Sequence, residues 1–148
     1  ELANPADRDH CLQYMVAVPL IFGDLTAEHY EDDFHHQHPL IDTLRGKMRV
    51  REEPRYTQDY LAADKRSIAN AIQVFFRDSS ATECVEVEYP LGHRRRRDEG
   101  IPMLEEKFRR NLATRFPAGR CERIFSLCSN QAQLEATPVH RFVELFII

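Results

Sequence analysis

Between residues 85 and 112 the sequence places one histidine and four consecutive arginines, His93 and Arg94, Arg95, Arg96 and Arg97, between an alternating apolar segment and an amphipathic one. A guanidinium stays charged at every ordinary pH and offers a planar fork of donors that matches a carboxylate or phosphate, so such a run can hold a polyanion. A neighbouring imidazole can donate, accept or carry a proton. The same run also reads as solvated surface: like charges packed together repel, and Asp98 and Glu99 follow to soften them. Spacing alone favours this plainer reading, with at most one arginine making a specific contact.

The elements on either side must fix this corner. Val85, Val87 and Tyr89 alternate with Glu86 and Glu88, the period of a half-buried strand, and Pro90 and Gly92 end it. Upstream, Ile72, Val74 and Phe76 share one face, Asp78, Ser79 and Ser80 supply turn residues, and the chain returns from Thr82 to Tyr89, so a hairpin is expected. Downstream, Pro102 suits the first turn of a helix. Met103, Leu104, Phe108 and Leu112 then recur at helical spacing, while Glu105, Glu106, Lys107, Arg109 and Arg110 face outward.

A chain of 148 residues, 43% hydrophobic and 30% charged, can bury one ordinary core. It has no apolar run of roughly 20 residues and no leader pattern, so a soluble, cytoplasmic protein without membrane contact is expected. The chain opens on Glu1 rather than a methionine, which points to a piece of a longer protein. The net charge of -4 is uneven. Before Arg94 there are 17 acidic against nine basic side chains, and from Arg94 through Arg123 ten basic against five acidic. That asymmetry indicates a local anion site more than a broad basic face for nucleic acid.

At the start, Asn4 can cap a helix with Pro5 in its first turn and Asp7 near its positive end. One helix is expected onward through Cys11, Leu12, Met15, Val16 and Val18, kinked at Pro19 and ended by Gly23. His10, Gln13 and Tyr14 are its polar groups, and a lone histidine in such a place is more often a hydrogen-bonded packing residue than an acid or base. Thr26 caps a short helix reaching Tyr30 and Phe34. His35, His36 and His38 then fall in a polar loop before Pro39, with no carboxylate or cysteine set to complete a metal site. A short helix follows to Gly46, then an alternating strand from Met48 to Glu52, then a surface connection from Arg55 to Lys65. Beyond residue 116, a helix over residues 120–130 turns Cys121, Ile124, Phe125 and Cys128 inward. Thr137 and Pro138 then open a last helix striped by Val139, Phe142, Val143, Phe146 and Ile147. The cysteines form no paired motif and read as small apolar groups; no metal and no cofactor are expected.

These elements describe an α+β chain, a small antiparallel sheet with a hairpin packed with several helices. No dinucleotide, Walker, nucleophile-elbow or zinc-protease motif is present. Four collinear stretches nonetheless resemble the C-terminal part of the MmgE/PrpD family: residues 4–15, Asn-Pro-Ala-Asp-Arg-Asp-His-Cys-Leu-Gln-Tyr-Met; residues 65–72, Lys-Arg-Ser-Ile-Ala-Asn-Ala-Ile; residues 87–93, Val-Glu-Tyr-Pro-Leu-Gly-His; and the helix carrying Glu106, Lys107 and Phe108. The resemblance covers essentially the whole chain.

The resemblance implies an iron-sulfur-independent hydro-lyase that removes water from 2-methylcitrate to give 2-methyl-cis-aconitate in propionate catabolism. It implies a homodimer whose subunits carry a large helical domain and a smaller α+β lid. Residues 1–115 would be the later part of the lid, and residues 116–148 the closing helices that dock on the helical domain. The main acid and base groups are then expected outside this chain, which alone would be inactive. Within it, His93 with Arg94, Arg95 and Arg96 would hold substrate carboxylates, bordered by His10 and Tyr14. Two alternatives stand beside this. One is a related lyase, isomerase or decarboxylase of polycarboxylates; the other is a free-standing interaction module or weak nucleic-acid binder using the arginine loop.

Overall fold

The computed structural model describes residues 2–148. The chain forms two compact units, one ending at Glu53 and the other running Pro54–Ile148. This division lies inside the chain and is separate from the 115/116 boundary expected between parts of a larger enzyme. The architecture is α+β, with many short helices and one two-stranded antiparallel sheet.

In the first unit, α1 (Pro5–Asp9) starts as expected, with the Asn4 side chain accepting from the Asp7 N–H at 2.9 Å. The expected single long helix is instead broken at His10 and Cys11, and α2 (Leu12–Phe22) begins afresh. Pro19 lies within α2, and Gly23 ends it at φ 84°, donating its N–H to the Pro19 carbonyl at 2.9 Å. A glycine suits that left-handed position because it has no Cβ to clash. Thr26 caps a 3-10 turn (Ala27–Tyr30), with His29 completing a capping box.

The histidines expected in a loop lie on or beside α3 (Asp32–Gln37), and α4 (Leu40–Arg45) follows. The core of this unit is Tyr14, Ala17, Val18 and Ile41, with Ile21, Phe34 and Leu44 packed around it. Full burial of a side chain such as Val18 or Ile41 contributes about 1.5–3 kcal/mol by leaving water. Leu12 is exposed, and the buried residues of α2 are Tyr14, Ala17 and Val18. The strand expected from Met48 to Glu52 does not form. Alternation supplies a face but no partner edge, and an unpaired strand has nowhere to send its backbone hydrogen bonds.

In the second unit, the expected surface connection from Arg55 to Lys65 is largely a helix, α5 (Pro54–Leu61), with Pro54 in its first turn. The hairpin forms: β1 (Asn70–Ile72) pairs with β2 (Val85–Val87), Asn70 opposite Val87 and Ile72 opposite Val85. Nearer the turn, Phe75 bridges Ala81. From Ile72 to Phe75 is three steps, but from Ala81 to Val85 is four, so the returning strand carries one extra residue, a bulge that interrupts the ladder.

Ser79 takes the left-handed position of the turn at φ 71°, where a glycine would sit without strain. Asp78 accepts from the Ser80 N–H at 3.0 Å and from its hydroxyl at 2.6 Å, holding the turn closed. Both strands are exposed throughout, Val85 and Val87 included, so the face expected to be half-buried has no cover among the described residues.

The helix after the arginine run is α6 (Arg97–Ala113), which starts five residues before Pro102 and so carries the proline internally. Phe108 and Leu112 meet α7 (Ala118–Cys128) through Cys121, Ile124 and Phe125, as the spacing predicted, while Met103 and Leu104 are exposed. An additional short helix, α8 (Gln131–Ala136), precedes α9 (Val139–Glu144). Of the C-terminal stripe, Phe146 packs on this core, as does its neighbour Leu145, while Val139, Val143 and Ile147 remain exposed.

Candidate functional site

The corner around His93 is built by short-range geometry. Leu91 leads into a turn closed by the His93 N–H on the Pro90 carbonyl at 2.8 Å, and residues Arg94–Arg96 form a 3-10 turn that runs straight into α6. Gly100 is required here, because a Cβ on it would overlap the Leu91 carbonyl oxygen. His93 caps the turn: its Nδ1 accepts from the Arg95 N–H at 3.1 Å. That leaves Nε2 as the protonated nitrogen, which donates to the Arg66 carbonyl at 3.0 Å. Both ring nitrogens are therefore engaged. The ring also packs on Tyr89, centroid to centroid 4.6 Å.

The arginines are not equivalent. Arg95 donates to the Asp64 carbonyl and lies over the Tyr89 ring at 5.0 Å. Arg96 donates to both Glu99 oxygens, at 3.1 and 2.7 Å, and to the Tyr89 carbonyl at 3.0 Å. The Glu99 hydrogen bond raises the Arg96 pKa, and Arg96 in turn holds the Glu99 carboxyl below its usual value. Among the described residues, Arg94 and Arg97 make no side-chain hydrogen bond or ion pair, and both are exposed.

The other two expected site residues lie in the first unit. His10 is exposed, with Nδ1 bonded to the Ala6 carbonyl at 3.0 Å and to Asp9 at 2.5 Å. The Ala6 carbonyl and then the Asp9 carboxylate raise its pKa above the ordinary histidine value. Tyr14 is fully buried; its hydroxyl donates to the His29 carbonyl at 2.5 Å and its ring meets Tyr30 and His35. Burial raises its pKa, against the pull of Arg8. His93, Arg94, Arg95 and Arg96 thus share one corner, whereas His10 and Tyr14 belong to a separate packed unit.

Sequence reasoning missed three groups. Arg8 is only 1% exposed and donates to the Tyr30 carbonyl at 2.7 Å, to Asp32 and, at 3.4 Å, to His35 Nδ1. His35 Nε2 then donates to Asp42 at 3.1 Å, and Asp42 also accepts from Arg45 at 2.7 Å. No local pattern marks an arginine as buried. The second group, Asp59 and Ser67, is buried, and among the described residues the Ser67 Oγ has no hydrogen-bond partner. Arg66, between Lys65 and Ser67, is the third: it stands at φ 51° with an exposed side chain. Among the described residues, no group of three His, Cys, Asp or Glu side chains is placed to hold a metal ion. No described helix is long and apolar enough to cross a membrane.

An arginine corner on a hairpin, joined to a helical C-terminal part, is the setting in which family relationship becomes informative. Residues 1–131 match the MmgE/PrpD C-terminal domain, and the chain belongs to that family. It is 54% identical over 147 residues to a 2-methylcitrate dehydratase of Cupriavidus necator, covering 99% of this chain and 30% of that protein. Against the 2-methylcitrate dehydratase of Escherichia coli K12 the identity is 51%, again over 99% of this chain and 30% of the relative. A mitochondrial 2-methylcitrate dehydratase of Yarrowia lipolytica is 48% identical over 99% of this chain and 28% of its own length. The chain therefore spans about 30% of the length of the curated relatives it matches, and corresponds to a C-terminal portion of them.

Proposed function

We propose that this chain is the C-terminal portion of a 2-methylcitrate dehydratase, a hydro-lyase that converts 2-methylcitrate to 2-methyl-cis-aconitate in propionate catabolism. The observation that carries the reading is identity near 50%, sustained over 99% of the chain, with bacterial and yeast proteins of that name. Dehydration beside a carboxylate needs a base for the α-proton, an acid for the departing hydroxyl, and cations for the substrate carboxylates and the charge that develops. The His93–Arg97 corner is suited to the last task. The acid and base belong to the part of the enzyme outside this chain. Exposed apolar faces on β1, β2 and α9 fit a piece that packs against more of its own protein. In this reading residues 1–115 belong to a lid and residues 116–148 return to a helical domain, within a cytoplasmic homodimer.

The test is 2-methylcitrate dehydration, followed by absorbance of the unsaturated product, on the chain alone and in its full-length context. Turnover only in the full-length context is expected, with weaker substrate saturation once Arg94 is changed to Gln. Turnover by the chain alone would relocate the acid and base, and no turnover by a folded full-length protein would refute the reading.

A further inference from the structure

The turn that follows α5 is unusually constrained for an exposed loop. Arg66 sits at φ 51°, a conformation that strains any residue bearing a Cβ and is retained only where the surroundings over-determine it. Here they do. The Arg66 N–H donates to the Ala62 carbonyl at 2.9 Å, and its carbonyl accepts from His93 Nε2 at 3.0 Å. Two residues earlier, the Asp64 carbonyl accepts from the Arg95 guanidinium. On the other side, fully buried Ser67 donates its N–H to the Asp59 carbonyl at 3.3 Å, and Ile68 donates to the Glu88 carbonyl at 3.2 Å. The backbone of Arg66 is thus fixed from both directions, while its guanidinium is exposed and makes no hydrogen bond or ion pair among the described residues.

His93 and Arg95 spend their side chains on backbone carbonyls 27 and 31 residues away, and what they fix is the turn that carries Arg66. A solvated arginine needs no such clip, and a turn needing only a left-handed residue would be better served by glycine or asparagine. One hydrogen bond from His93 to the Arg66 carbonyl brings the Arg66 backbone beside the residue preceding Arg94, one of the two arginines of the run without a side-chain partner among the described residues.

We infer that Arg66 is a substrate-carboxylate anchor, paired with Arg94 on one clipped corner, and that His93 and Arg95 are positioning residues that hold it there. This rests on the reading of the chain as part of a tricarboxylate dehydratase. Both ring nitrogens of His93 are engaged in holding the turn, as a positioning role requires.

The experiment uses the chain in its full-length context and compares Arg66→Gln, Arg66→Gly and Arg66→Lys with wild type, measuring kcat and KM for 2-methylcitrate and, separately, binding of citrate by calorimetry. Loss of a charge-assisted pair predicts KM raised on the order of tenfold to a hundredfold for Arg66→Gln, with kcat changed much less. Arg66→Gly separates the side chain from the backbone: it should melt higher, because the strain is relieved, yet show the same rise in KM. Arg66→Lys should recover part of the loss. His93→Ala should raise KM while leaving the pH profile of kcat unmoved. Arg123→Gln, an exposed arginine on α7, is the control expected to change nothing. An unaltered KM in Arg66→Gly would reduce the feature to a strained turn and overturn the inference while leaving the dehydratase reading intact. If wild type fails to turn over 2-methylcitrate but binds citrate in a manner weakened by Arg66→Gln, the reverse holds. Neither turnover nor citrate binding would overturn both.

Discussion

Replacing Arg8 with methionine is the sharpest test of how the first unit is held together. Arg8 is almost fully buried and donates to the Tyr30 carbonyl at 2.7 Å; the contacts to the Leu2 carbonyl and His35 Nδ1, each at 3.4 Å, are weaker. Its ion-pair partner Asp32 has a side chain 56% exposed, so water can replace the guanidinium there. Methionine keeps most of the aliphatic packing but leaves the Tyr30 carbonyl without its donor, which costs about 1–3 kcal/mol, and weakens the orientation of His35. Removing the buried charge returns part of that, because the arginine no longer has to be stripped of water. The net expectation is a loss of about 2 kcal/mol for Arg8→Met. Arg8→Ala adds a cavity, bringing the loss to about 4 kcal/mol. Asp32→Asn should cost much less than either. Urea titration followed by far-UV circular dichroism, with the slope unchanged, would measure all three. Equal losses for Asp32→Asn and Arg8→Met would show that the ion pair, rather than the backbone acceptor, carries the stability, and would refute this reasoning.

Other outcomes follow from the same geometry. Gly100→Ala forces a methyl group against the Leu91 carbonyl and should destabilise the start of α6 by about 1–3 kcal/mol, seen as a lower melting temperature and faster hydrogen exchange over residues 91–100. Asp42 is pushed upward by burial, but hydrogen bonds from Arg45 and His35 more than offset this and hold its carboxyl below the ordinary value. A depressed folded pKa gives stability that is present above the unfolded value near 4 and lost as pH falls through the folded one. Asp42→Asn should therefore lower the urea midpoint at pH 7 and flatten its decline below about pH 4; an acid limb as steep as wild type would count against the Asp42 network.

What could be read from the residues and what could not divides along the range of the interactions. The Asn4 cap, the Gly23 stop, the Asp78 turn and the inward face of α7 are each decided within a few residues, so their spacing is sufficient. The segment from Met48 to Glu52 alternates as well as β2 does, but β2 has a partner and the other does not, and pairing is a long-range fact that periodicity cannot supply. Pro54 at the head of α5 was a usable signal, with Tyr56 and Tyr60 one turn apart behind it. Pro102 misled for a related reason. A helix can run through an interior proline at the cost of one backbone hydrogen bond, and α6 begins directly after the His93-capped 3-10 turn of residues 94–96.

The candidate site shows the same limit more sharply. Four arginines in a row are indistinguishable as sequence, yet Arg96 is committed to a carboxylate three residues on, Arg95 to a carbonyl 31 residues back, and Arg94 to neither. The i, i+3 pair of Arg96 with Glu99 could be anticipated from helical spacing. The Arg95 contact could not, because its acceptor is a main-chain oxygen that every residue possesses. Which guanidinium is free to meet an anion is therefore a property of the turn at Asp64 to Arg66 as much as of the arginine run itself.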